Sequence, residues 1–115
     1  MAYTTNFPVN PGIFIQTVIS GATTNATSSS ITNYSLPVTY QVSIAGTGTV
    51  SATVTIYGTA TAVTTGGTAV IVLPISGTTS AVLNGQVNID YPYYYAKITS
   101  ITGTGAAVTL ITAVD

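Results

Sequence analysis

The stretch Val50–Gly58, "VSATVTIYG", decides how the rest of the chain is read. Val50, Ala52, Val54 and Ile56 share one parity, and Ser51, Thr53, Thr55 and Tyr57 share the other. Successive side chains of a strand point to opposite faces, so this is a strand with one buried and one wet face. Its β-branched and aromatic residues fit a pleated, half-buried surface. "GIFIQTVIS" (12–20), "VTYQVSIA" (38–45) and "TAVIVLPI" (68–75) have the same make-up. Glu and Arg are absent and Lys occurs once, so the charged helix formers are nearly missing, and no helical stripe develops.

Working outward, "SGATTN", "AGTGT", "TTGGT", "SGTTS", "LNGQ" and "TGTGA" separate the apolar runs. Their spacing of about eight to twelve residues predicts an all-β fold: a single antiparallel β-sandwich of jelly-roll or Greek-key type, with about eight strands. Asn84-Gly85 reads as a tight turn, because both residues tolerate positive φ. Pro37 and Pro74 are expected at strand ends or on an edge, where a missing N–H costs little. "SIAGTGTVSATVTI" (43–56) and "SITGTGAAVTLITA" (100–113) share S-I-x-G-T-G. Each is read as a strand, a short turn and a returning strand. Val42, Ile44, Val54, Ile56, Val70, Val72, Ile98, Val108 and Leu110 are the expected core. One domain is expected over 13–115, preceded by an extended N-terminal arm over 1–12.

Composition excludes more than it assigns. Charged residues are 3% of the chain, against about 25% in ordinary soluble domains. They are Asp90, Lys97 and Asp115, for a net charge of −1. Polarity comes from threonine, serine, asparagine and glycine. Little charge repulsion separates one copy from another, which predicts work in an assembled state. No apolar run approaches the ~20 residues of a spanning helix, and no membrane role is expected.

Without His or Cys, a serine nucleophile has no conventional base. Acid–base hydrolysis would require Asp90 and Asp115 to converge. No enzymatic activity and no cofactor are expected. A hard metal ion meets the same shortage of charged oxygen ligands. The glycine-rich stretches lack a phosphate-loop lysine and a following helix. One basic residue is too few for nucleic acid, which needs a cluster of cations on its phosphates. The N-terminus, "MAYTTNFPVNPG", has no basic or apolar signal region, so synthesis in a cytoplasm without export is expected.

"YPYYYAKITSITGTGAAVTL" (91–110) holds four of the eight tyrosines and the single lysine. After Pro92, alternation places Tyr94, Ala96 and Ile98 inward and Tyr93, Tyr95, Lys97 and Thr99 outward. Two readings of the outward row stand. The tyrosines cap a rim while Lys97 guards an edge, or they anchor a partner, since Tyr is enriched at interface hot spots and attracts cations. In the arm, Tyr3 and Phe7 are the further candidate anchors.

The stretch "YPYYYAKITSITGTGAAVTLI" (91–111) resembles the C-terminal strands of small β-sandwich virion proteins of tailed bacteriophages. In those proteins a Y-P-Y-x-Y-x-K/R segment leads into a Thr/Ser-rich hairpin. "GIFIQTVISGATTNATSSSI" (12–31) is similar to their opening strand and polar loop. The resemblance implies a capsid decoration (cement) protein located on the virion. Its implied partners are the major capsid protein and itself, as a homotrimer. A head- or tail-fibre adhesion module is the alternative. The middle stretch, 58–82, departs from the pattern in lacking tryptophan and charged loop residues, which favours a structural over an adhesive role. A third class, an ice-binding surface, rests on outward Thr-x-Thr pairs in "TVSATVTI" (49–56) and "TATAVTTGGT" (59–68). The absence of a regular repeat counts against it.

Overall fold

The computed structural model describes residues 14–33 and 37–114. Among them are no helices and five strands: β1 (Phe14–Ala22), β2 (Ile31–Thr32), β3 (Val38–Thr59), β4 (Thr68–Val87) and β5 (Tyr93–Val114). All pairings are antiparallel and belong to one sheet of order β1-β5-β3-β4, with β2 also on β5. The expected arm, 1–12, lies outside the described residues.

The strand count differs from the expectation because the Gly-rich stretches do not reverse the chain. β3, β4 and β5 are 22, 20 and 22 residues long, against about 5–6 in an ordinary strand. Gly46–Gly48 lies inside β3, Gly77–Thr79 inside β4 and Gly103–Gly105 inside β5. Pairing resumes beyond each: Ala45 faces Ser80 and Thr49 faces Thr78, while Ala45 faces Ala107 and Ser51 faces Thr102. The ladders slip at these points, which marks them as bends. Their positive φ values, 71° at Gly48, 63° at Thr79 and 128° at Gly103, supply the change of direction. The S-I-x-G-T-G echo is therefore no pair of hairpins. Its two copies are neighbouring strands that cross the same bend side by side, with Thr47 opposite Thr104.

Asn84-Gly85 is likewise no turn. It sits within β4, and Gly85 lies opposite Tyr40. A Cβ at that position would collide with the Tyr40 ring, so the glycine makes room for a buried aromatic.

The bend brings the two halves of the sheet together. Tyr94 and Thr112, on opposite halves of β5, join their hydroxyls at 2.9 Å. A straight 22-residue strand would span about 70 Å, whereas the longest dimension of the molecule is 48 Å. Segment 14–32 follows the same course beside β5. β1 pairs with residues 108–114, Thr27 bridges to Lys97, and β2 pairs with Tyr93 and Tyr94. Residues 88–92 cross from the end of β4 to the start of β5. Ile89 is fully buried there, and the Asn33 amide donates to the carbonyls of Ile89 (2.7 Å) and Tyr91 (3.0 Å).

The core lies on the concave face. Val38, Val42, Ile44, Val54 and Ile56 of β3 and Ile98, Val108 and Leu110 of β5 are buried, in the parity expected. Each such aliphatic side chain contributes about 1.5–3 kcal/mol by leaving water. The expectation fails on β4. Leu73 and Ile75 are buried, while Val70 is half-buried and Val72 is 55% exposed. Ile56 pairs with Ile71 but Tyr57 with Ala69, so a bulge falls at Val70. In an unbroken apolar run, nothing in the residue types shows which parity faces inward. Pro74 is on the outer strand of the sheet, an edge as expected.

Candidate functional site

The outer face of the sheet carries the one place where aromatic, cationic and hydroxyl groups meet among the described residues. Tyr57 has the wet parity of β3, and register sets it opposite Tyr95 of β5. The rings stack with centroids 5.1 Å apart and planes at 14°. Residues 60–67, between β3 and β4, fold back over this pair. The Thr59 hydroxyl donates to the Thr61 carbonyl (2.7 Å), as does the Val63 amide (2.8 Å), which curls the segment at its start. At its end the Gly67 amide donates to the Tyr95 hydroxyl oxygen at 3.1 Å. A Cβ on Gly67 would lie 2.9 Å from Tyr57 Cβ and 3.0 Å from Tyr95 Cε2, so only glycine lets the backbone come this close.

A cleft of about 290 Å³ opens beside the stacked pair, lined by Thr27, Tyr57, Thr64, Thr65, Tyr95 and Lys97, with Gly66 and Gly67. Thr27 is held at its rim by the backbone on either side. The Ser28 amide donates to the Ala96 carbonyl and the Ile98 amide to the Ala26 carbonyl, both at 2.8 Å. The Ser28 hydroxyl accepts from the Ala96 amide at 2.9 Å. Lys97 is exposed, opposite Thr55, which is buried in the sheet surface beneath it. Hydrogen bonding, aromatic stacking and the attraction of one positive charge are the chemistry on offer.

Of the residues singled out from sequence, Tyr93, Tyr95 and Lys97 do share the outer face. Tyr93 is half-buried and Lys97 exposed. Tyr95 is only 4% exposed, because the 60–67 segment and Tyr57 cover it. It supports the cleft rather than presenting a free surface. Tyr3 and Phe7 lie outside the described residues. Tyr57, Thr64 and Thr65 escaped the sequence reading, although the outward parity of Tyr57 was legible. Only the cross-strand register shows that it meets Tyr95.

A second hollow, of about 320 Å³, lies between β1 and residues 29–32, lined mainly by Gln16, Thr17, Ser29, Ser30 and Thr32. It is neutral and holds no aromatic side chain. In comparisons with known proteins, no family model, no curated protein and no solved structure matches this chain.

Proposed function

We propose that the chain is a structural virion protein of a tailed bacteriophage, a decoration (cement) protein that binds and stabilises the head shell. The observation that carries this reading is the edge of β4, which no other described strand pairs. This twenty-residue strand is paired, among the described residues, on one side alone, with β3; none of its residues is charged, and Val72 and Val82 are 55% and 58% exposed. Soluble proteins guard such edges with charge, shortness or a covering segment. Among the described residues, Pro74 and the bend are the devices present. With a net charge of −1, almost no repulsion replaces them. Such an edge suits a molecule that works while bound to others.

The sequence resemblance of 91–111 and 12–31 supplies the kind of assembly. In this reading the doubled sheet acts as a β-sandwich whose long strands serve both layers. The partners are the major capsid protein and further copies of the chain, as a homotrimer. The contacts are apolar and hydrogen-bonded, so screening by salt has little to act on.

Cryo-microscopy of purified particles tests the proposal directly. Hundreds of copies at symmetric positions on the head, retained through a moderate salt wash, are expected. A handful of copies at the tail, or release by that wash, would overturn it.

A further inference from the structure

We infer that the cleft between the Tyr57–Tyr95 stack and the 60–67 segment binds an acidic saccharide unit, a pyranose ring bearing a carboxylate. Three features of the cleft converge on this ligand. The first is a flat aromatic platform. Tyr57 lies nearly parallel to Tyr95 and remains half-buried, so part of its surface is left to a visitor. The C–H face of a sugar ring packs well on such a surface.

The second is the neutral rim. Thr27, Thr64 and Thr65 bring hydroxyls, each of which both donates and accepts. They match the hydroxyls of a sugar without imposing charge. The third is Lys97, the single cation of the chain, placed on the same wall. No carboxylate lines the cleft to oppose an anion. One lysine suits one carboxylate, whereas a polyanion such as nucleic acid needs a cluster of cations. The volume of about 290 Å³ is at the small end of ligand sites, which fits a single sugar unit.

The cleft is also built rather than incidental. Gly67 is required for the segment to reach Tyr95, and its amide holds the Tyr95 hydroxyl oxygen. Both walls therefore stand in place before any ligand arrives, which lowers the ordering cost of binding. The inference stands apart from the shell-binding reading, and its test needs no particles.

The test is an amide-resonance titration of the full chain with methyl glucuronide and with its neutral counterpart, methyl glucoside. The glucuronide should move the resonances of Thr65, Gly66, Gly67 and Lys97, and should bind up to about fivefold more tightly than the glucoside. Lys97→Gln, an exposed change that leaves the core alone, should erase that preference. Tyr57→Ala should weaken both sugars by about tenfold. Three results would overturn the inference: no cleft resonance moves with either sugar, Lys97→Gln leaves the preference intact, or uridine monophosphate binds more tightly than the glucuronide.

Discussion

The hydroxyls of Tyr94 and Thr112 lie 2.9 Å apart although the two residues are eighteen positions apart along one strand. An extended chain would hold them about 60 Å from each other. The contact is therefore a direct measure of how far β5 folds back on itself. It also places a buried polar pair where the two halves of the sheet meet.

Tyr94 should make stability fall at high pH. Burial raises its pKa above the usual 10.0, and the hydrogen bonds with Thr112 and Gln16 offset part of that rise. The folded chain keeps the proton where the unfolded chain has already lost it. This contribution is complete below pH ~10 and is lost as the pH climbs through the folded value. Denaturant melts of the protein and of Tyr94→Phe, compared from neutral pH to about pH 11, check it. The variant should lose about 1 kcal/mol at neutral pH and show a weaker alkaline decline. Parallel pH profiles would contradict the assignment.

Gly103 and Gly105 should respond differently to alanine. Both have positive φ, 128° and 64°. A Cβ at Gly103 would meet Val50 Cγ1 at 2.8 Å and the Thr49 carbonyl oxygen at 3.0 Å, while at Gly105 nothing lies within 4 Å. Gly105→Ala should cost the left-handed penalty alone, about 1–2 kcal/mol. Gly103→Ala should add crowding at the bend, for a total of about 2–4 kcal/mol. Urea unfolding of the two variants gives the comparison.

Leu73 and Val72 are neighbours with opposite roles. Leu73 is 2% exposed and Val72 55%. Leu73→Ala should cost about 2–5 kcal/mol through the cavity it leaves. Val72→Ser should stay within about 0.5 kcal/mol. A larger loss at Val72 than at Leu73 would mean that β4 has the other parity.

Thr79 offers a gain. At φ 63° it is the one described non-glycine residue with positive φ, and its branched side chain is ill suited to that region. Thr79→Gly should stabilise the protein by roughly 1 kcal/mol, read as a rise in thermal midpoint of several degrees. A lower midpoint would show that the threonine side chain contributes more than the strain costs.

The residue pattern by itself determined that this chain is built of strands, and which parity of β3 and β5 is buried. Val50, Ala52, Val54 and Ile56 alternate with hydroxyl-bearing residues, and partition between core and water then follows from residue type alone. The poverty in charged groups was equally plain, because composition needs no geometry. The parity of β4 was not legible, since Val70, Ile71, Val72 and Leu73 are all apolar and the bulge that chooses among them depends on pairing with Tyr57. Nor was the course of the chain at Gly46–Gly48 and Gly103–Gly105. A Gly-Thr-Gly segment serves a reversal as well as a bend, and hydrogen bonds to strands distant in sequence select the bend. The same register brings Tyr57 to Tyr95 and carries the 60–67 segment over them. The tertiary structure alone decided the cleft, because its walls come from three separate stretches whose proximity no local pattern encodes.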